Sequence, residues 1–429
     1  MRMLLRIGLA VAVVAVAAVV VGSAVAQPRE TEKQETAAVA MQRPDFRVDV
    51  TDEMRRHSRI REVLYFVGFA YTLLVLVLVL ATGLSKRMRE VAARVVKQPF
   101  VIAMLYVALF TIVTTVLEFP LAYYSGFVVP HQFDLTTQSL GSWMGDLGKG
   151  LAMNILVTAP IAALAYLAIR KLRRWWLAIW IGAVPIGILL VALQPLVFDP
   201  MFNRFEPLQD QVLRTKLLDL ASRAGIESGR VYQVNKSKQT STMNAYVNGI
   251  GPTNRIVMWD TLLAKMTHDE VVSVMAHEMG HYVMRHIWKG MAFGLALAFP
   301  LLFLGQKVYE RGIGRWGSRW GIEGPGDPAA LPWLLIVVSV GSFFLSPVTS
   351  GYSRRIEHQA DIFALEVTHQ NEAFAHAFIK LAEDSKRDPD PPRFMEIWRY
   401  SHPAISRRIA FALDYRPWER GEPNRLWKE

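Results

Sequence analysis

The sequence predicts a mainly α-helical, polytopic membrane bundle of about seven spans, interrupted by a small α+β insertion. Three observations carry that reading. Of 429 residues, 52% are hydrophobic and 20% charged, and the mean hydropathy is positive, which is too apolar for an ordinary soluble protein. Apolar runs recur at the length of about 20 residues that a helix needs to cross a bilayer. Residues 200–286 break the pattern with a less apolar stretch that mixes helical and strand-like periodicities.

The first run covers Ile7 to about Ala26, after Arg2 and Arg6. Ala24-Val25-Ala26 has the small-x-small form of a signal-peptidase site, so residues 1–26 are a cleaved signal peptide or a first transmembrane helix. Residues 27–61 carry both charge signs without periodicity and read as a partly disordered polar linker. The membrane block 62–199 holds runs at about 63–84, 100–124, 150–169 and 175–198. Their expected connections are a basic loop (Lys86, Arg87, Arg89, Arg94, Lys97), a loop at 125–147 without Lys or Arg, and a short basic turn at 170–174. Glu118 lies inside an apolar run and is either a functional intramembrane carboxyl or one near the helix end at the interface.

Within the insertion, a helix is expected over Gln209–Ala224. Strands are expected at Arg230–Val234, Asn244–Val247 and Arg255–Trp259. Two more spans follow in 287–350, at about 287–306 and 331–349, joined by a Gly-rich loop from Gly312 to Gly326. Residues 351–429 form a C-terminal segment, helical and then Pro-rich at 388–392.

The chemistry concentrates in His277-Glu278-Met279-Gly280-His281. Residues four apart share a helix face, so His277 and His281 can aim two imidazoles at one point, as a tetrahedral zinc requires. Glu278 is placed to act as general base toward a water activated there. Thr267-His268-Asp269-Glu270 has capping-box form and would open that helix. Two histidines flanking an acid on a mostly apolar helix need a group such as a metal to satisfy them. His286 is one residue short of the spacing at which a metzincin would supply a third histidine. Downstream, Glu357 and Asp361 share a helix face. Glu357 is the candidate third ligand, and Asp361 can accept a hydrogen bond from a ligating imidazole. His358, the rival ligand, points about 100° away from Glu357.

His-Glu-Met-Gly-His followed by Ser353-Arg354-Arg355-Ile356-Glu357-His358-Gln359-Ala360-Asp361 resembles the paired signatures of the Ste24-type membrane zinc proteases, the CAAX prenyl protease 1 group. The segments Pro200–Leu208, Asn244–Gly249, Arg255–Leu263 and Ser401-His402-Pro403 with Arg407 and Arg408 are similar too, so the likeness runs from about the second span onward. It implies a seven-helix bundle around a water-filled chamber, and a zinc endopeptidase of the gluzincin type with one zinc ion per chain. It also implies a peptide or membrane-protein substrate, prenylated in part of the family. Asn244 would sit on an edge strand that pairs with extended substrate. His402 and Arg354 are candidates for oxyanion contacts or, for Arg354, a substrate carboxylate. Against this stand structural roles: carbonyl or carboxylate binding for both, and for Ser401-His402-Pro403 the cap and first turn of a helix.

Other classes are narrowed. Cys is absent, so neither a disulfide nor a thiolate ligand is available. The net charge of +11 reads as Lys and Arg at loop ends near lipid headgroups. No basic helix or aromatic pattern for nucleic acid accompanies it. The alternative function is a catalytically silent membrane chaperone or scaffold with a structural zinc site, which has no need of Glu278. The membrane expected is a bacterial-type cytoplasmic one. Basic connections opposite the insertion put the site outside the cytoplasm by the positive-inside rule. Arg55, Arg56, Arg59 and Arg61 at the start of the second span argue the other way.

Overall fold

The computed structural model describes residues 44–226, 230–249 and 254–427. Among these, six helices are long and apolar enough to cross a membrane. The expected span at 7–26 lies outside the described residues.

Helix α1 (Asp52–Ala81) starts well before the apolar run expected from about residue 63. The Thr51 hydroxyl accepts a hydrogen bond from the Met54 N–H at 3.2 Å, and Asp52 and Glu53 fill the first turn, so the end of the expected linker is helical. That polar first stretch is buried against the C-terminal segment. His57 Nδ1 lies 2.8 Å from the Lys386 carbonyl, and Ser58 Oγ accepts from the Asp388 N–H at 2.8 Å.

The expected basic loop is instead helix α2 (Leu84–Val95). Arg89 folds inward there to pair with Asp327 at 2.5 Å and Glu323 at 2.9 Å. Helix α3 (Pro99–Gln132) continues through a π-type turn at Tyr124–Val128, and α4 (Leu140–Lys171) begins soon after, capped by the Ser139 hydroxyl. The long connection expected at 125–147 therefore shrinks to a few residues. Glu118 is inside α3 rather than at its end, and its Oε1 accepts a hydrogen bond from the Thr72 hydroxyl of α1 at 3.0 Å. Helix α5 (Trp175–Phe202) also extends through a π-type turn. Val116, Leu156, Ile181, Leu196 and Leu304 each point outward with more than half their surface exposed, a distribution that lipid tails satisfy and water does not.

The insertion folds as strands β1 (Phe205–Pro207), β2 (Val231–Val234), β3 (Ala245–Asn248) and β4 (Arg255–Trp259), with α6 (Gln211–Arg223) between β1 and β2. The sheet order is β1-β2-β4-β3. Strand β4 is central, parallel to β2 (Val231 opposite Ile256) and antiparallel to β3 (Tyr246 opposite Val257), which leaves β3 at an edge as expected. β1 is three residues long, too short to show a period. A short helix α7 (Asp260–Lys265) leads into α8 (His268–Val283).

Helix α9 (His286–Trp320) runs through the first half of the expected Gly-rich loop. Gly312 is a packing residue there: a Cβ on it would run into the Trp333 indole. Helix α10 (Leu331–Thr368) is a single rod of 38 residues, so Glu357 belongs to the last spanning helix and not to a separate one. Helices α11 (Asn371–Asp384), α12 (Arg393–Trp398) and α13 (Ile405–Asp414) complete the chain. One apolar core joins the insertion to this tail, with Leu217 of α6, Ile256 of β4, Met275 of α8, Phe363 of α10 and Phe374 of α11 all buried in it. Glu366 is buried within that core, and its carboxylate accepts from the Tyr415 hydroxyl and from the backbone N–H groups of Arg425, Leu426 and Trp427.

Candidate metal centre

Helix α8 is fixed at its start by the predicted capping box. The Thr267 N–H donates to Glu270 Oε2 at 2.7 Å, and the Glu270 N–H donates to Thr267 Oγ1 at 3.4 Å. Its apolar face (Val271, Val272, Met275, Met279) is buried, which turns His277 and His281 toward α10. The two helices approach closely because residue 280 is glycine: a Cβ there would stand 3.0 Å from Phe363 Cδ1 and 3.2 Å from Phe363 Cβ.

Three side chains meet at the crossing. His277 Nε2 and His281 Nε2 are 3.1 Å apart, and Glu357 brings Oε2 to 3.3 Å of the first and Oε1 to 3.4 Å of the second. Ligand bonds of about 2.0–2.1 Å in a tetrahedron separate neighbouring ligand atoms by about 3.3 Å. Each imidazole meets that spacing to the other and to one of the two carboxylate oxygens, and one ligand atom from each of the three residues lies within 4.8 Å of the others. Glu357 Oε2 is buried and, among the described residues, accepts no hydrogen bond, which leaves it available to a cation. The donor set and its spacing fit a zinc ion.

The supporting hydrogen bonds decide which nitrogen faces the triangle. His277 Nδ1 is 2.9 Å from Asp361 Oδ1, so Nδ1 carries the proton and the Nε2 lone pair points inward. Asp361 is in turn gripped by Arg408 through Nε at 2.9 Å and Nη2 at 2.5 Å, and the guanidinium lies 4.0 Å over the Phe378 ring. On the other side, His281 Nδ1 is 2.9 Å from His286 Nδ1, whose Nε2 is 3.2 Å from Gln359 Oε1. The Gln359 oxygen requires the His286 proton on Nε2. His286 Nδ1 therefore accepts from His281 Nδ1–H, and the His281 Nε2 lone pair also points inward.

Without a metal the pair takes up one proton beyond the two on Nδ1, and His277 holds it. Burial opposes a charge on His277, but hydrogen bonds to Asp361 and Glu357 outweigh it and raise its pKa to about 9. Burial and the charge on His277 push His281 down to about 3. Glu278 lines the adjoining cavity, and burial raises it to about 7. His277 and Arg408 oppose that shift, while Glu357 reinforces it.

His358 packs on Phe411, ring centroids 4.6 Å apart, and faces away from the triangle. Ser401–Pro403 is not a helix cap: α13 starts at Ile405, with Ala404 before it. Pro403 disfavours helical backbone at His402, and the His402 ring lies beside the centre, Nε2 at 3.4 Å from Glu357 Oε2. Arg354 is committed elsewhere. Its Nη1 donates to the carbonyls of Glu396 at 2.6 Å and Tyr400 at 2.8 Å, which holds the loop before His402. Asn244 lines the cavity, and its side-chain oxygen accepts from the Ala245 N–H at 2.9 Å. The sequence reading missed the supporting roles of His286 and Arg408. His286 does not match a ligand spacing, and Arg408, though part of the C-terminal segment that resembles the family, lies 131 positions from His277 with nothing in the sequence to give it this role.

A family model described as peptidase family M48 matches residues 207–416, and one described as CAAX prenyl protease N-terminal, five membrane helices, matches residues 35–204. An uncharacterized metalloprotease of Bacillus subtilis is 35% identical over 362 residues, covering 83% of this chain and 84% of that protein. The chain belongs to peptidase family M48. CAAX prenyl protease 1 of Saccharomyces cerevisiae is 29% identical over 330 residues, covering 72% of this chain and 71% of its own. The crystal structure of S. mikatae Ste24p has the same fold, with a TM-score of 0.73 at 23% identity over 89% of this chain and 96% of that one. This M48 chain is an integral-membrane metallopeptidase, and its family implies a metal, typically zinc.

Proposed function

We propose that the protein is a membrane zinc endopeptidase in which His277, His281 and Glu357 hold one zinc ion and Glu278 is the general base. The meeting of His277 Nε2, His281 Nε2 and the Glu357 carboxylate, with nearest approaches of 3.1–3.4 Å, next to a cavity that Glu278 also lines, carries this reading. A zinc ion held there supplies Lewis-acid polarisation of the scissile carbonyl and acidifies an attacking water. Glu278 takes the proton from that water and delivers it to the leaving amine. The His402 ring donates to the developing oxyanion. Asp361 and His286 keep the two imidazoles in the ligating tautomer. Substrate lies extended along the free edge of β3, near Asn244, through main-chain hydrogen bonds. The relatives named as CAAX prenyl proteases make prenylated peptides candidates beside unmodified ones.

The test is hydrolysis of a quenched fluorescent peptide library by detergent-purified protein, wild type beside Glu278→Gln, with zinc quantified in both. The reading expects one zinc in each and cleavage by the wild type alone. Cleavage by a clean Glu278→Gln preparation would defeat the assignment of the base. Zinc in both with no cleavage of extended or prenylated peptides would favour a scaffold.

The site faces away from the cytoplasm of a bacterial-type inner membrane. Arg89 pairs with Asp327, and Arg170 abuts Gly326, so the basic connections gather at the end opposite the insertion. The chain has no cysteine, which makes Lys216→Cys and Arg87→Cys single labelling sites. An impermeant maleimide added to intact cells should label the first and spare the second; the opposite pattern inverts the orientation.

A further inference from the structure

The cavity beside the metal centre has a volume of about 1020 Å³, and its lining includes His277, Glu278 and His402 together with Arg61, Arg387 and Arg399. The three arginines come from α1, from the turn after α11 and from the end of α12, and they lie close enough to repel one another. Among the described residues, the side chains of Arg61 and Arg387 make no hydrogen bond or ion pair. Arg399 lies over the rings of Tyr65 and Tyr400, at 5.5 and 5.6 Å, and its Nη1 is buried without a hydrogen-bond partner. Two carboxylates border the group. Glu62 accepts from the Tyr400 hydroxyl at 3.4 Å and Asp388 from the Asp390 N–H at 2.9 Å, and neither reaches ion-pair distance of the three guanidiniums. Arg387 is exposed and Arg61 and Arg399 are half-buried where they line the cavity, and their converging donors match a carboxylate in shape and charge.

We propose that Arg61, Arg387 and Arg399 form a carboxylate-binding subsite for the peptide substrate. The carboxylate comes from the chain terminus or from an Asp or Glu side chain. The proposal rests on the peptidase reading of the neighbouring site. Continuity supports it: Arg399 is three residues before His402, whose Nε2 is 3.4 Å from Glu357 Oε2, and Arg387 is near enough to His402 to act on it electrostatically. A peptide bound at the metal centre passes His402 onto this wall. Arg61 and Arg387 repel each other and Arg399 across the cavity wall, while Arg399 also stacks on Tyr65 and Tyr400.

The test uses a cleaved peptide from the library, remade without acidic residues in three forms: free C-terminal carboxylate, C-terminal amide, and amide with one Glu beyond the cut. Wild type should process one of the two anionic forms about 10- to 100-fold more efficiently than the neutral amide, and which form gains identifies the source. Arg387→Gln and Arg399→Gln should lose that preference, and Arg387→Lys should keep part of it, all with zinc near one per chain. Wild type that treats the three forms within two-fold, or glutamine variants that still discriminate, overturns the subsite. The same peptides are titrated onto Glu278→Gln by fluorescence anisotropy. Arg387-dependent preference in binding without cleavage by the wild type keeps the subsite and removes the peptidase reading. Cleavage without preference does the reverse.

Discussion

Replacing Gly280 by alanine separates packing from helix propensity, because the two predict opposite signs. In isolation the change should stabilise α8 by about 1 kcal/mol. In this structure the new Cβ meets Phe363 at 3.0 Å (Cδ1) and 3.2 Å (Cβ and Cγ). Phe363 is 1% exposed, and one of the clashing atoms is its own Cβ, so no rotamer relieves the contact. Helices α8 and α10 must part by about 0.5 Å to restore ordinary carbon–carbon distance, at a cost of about 1–3 kcal/mol. Glu357 is six residues from Phe363 on the same helix, about 9 Å along it, and moves with it. Gly280→Ala is therefore expected to lower zinc affinity on the order of ten-fold, the scale at which disturbed ligand support acts. It should also leave the metal-free protein no more stable than wild type. Chelator competition and thermal unfolding in excess chelator measure both. A variant that binds zinc as wild type does and melts higher would refute the close-packing argument.

The metal-free His277, raised to about 9, is protonated at neutral pH and must lose that proton to act as a ligand. Apparent zinc affinity should climb about ten-fold per pH unit from this group up to about pH 9 and level off above. Calorimetry in buffers of different ionisation enthalpy should find close to one proton released at pH 7. Glu357→Ala should lower zinc content while His358→Ala leaves it intact, as measured by metal analysis after gel filtration; the reverse would exchange their roles. Asp361→Asn leaves one neutral oxygen where two charged ones serve His277 Nδ1 and Arg408, and strands the buried Arg408 charge. It should weaken zinc binding about 10- to 100-fold, and unchanged affinity would mean the His277 tautomer is set by something else.

The site was legible where chemistry is local. The capping box, the i and i+4 histidines and the i and i+4 carboxylates are all visible as spacings, and the structure brings His277, His281, Glu357 and Asp361 together. Hydropathy marked the spans but reported environment rather than conformation. It ended the last run near 349, where charged residues begin, although the backbone stays helical to Thr368. It also turned Gly312 into a loop signal when that glycine makes room for an indole. His286 and Arg408 were illegible for a different reason: each acts through a partner whose position only the fold supplies.

Helix α10 also limits what can be cut out of this protein. The stretch 200–286 looks like a domain in the sequence, yet its apolar core is completed by Phe363 and Phe374 from beyond two membrane crossings. Glu357 stands 26 residues, about 39 Å, from the start of a rod whose other end packs in the core of the spanning helices. An excised fragment of the insertion would lack a ligand and half its interior. Adding the tail as a separate piece would restore the atoms without the register between α8 and α10. The bilayer thus acts as the frame that aligns the metal centre, and detergents that alter the tilt of α10 should shed metal before they unfold the sheet.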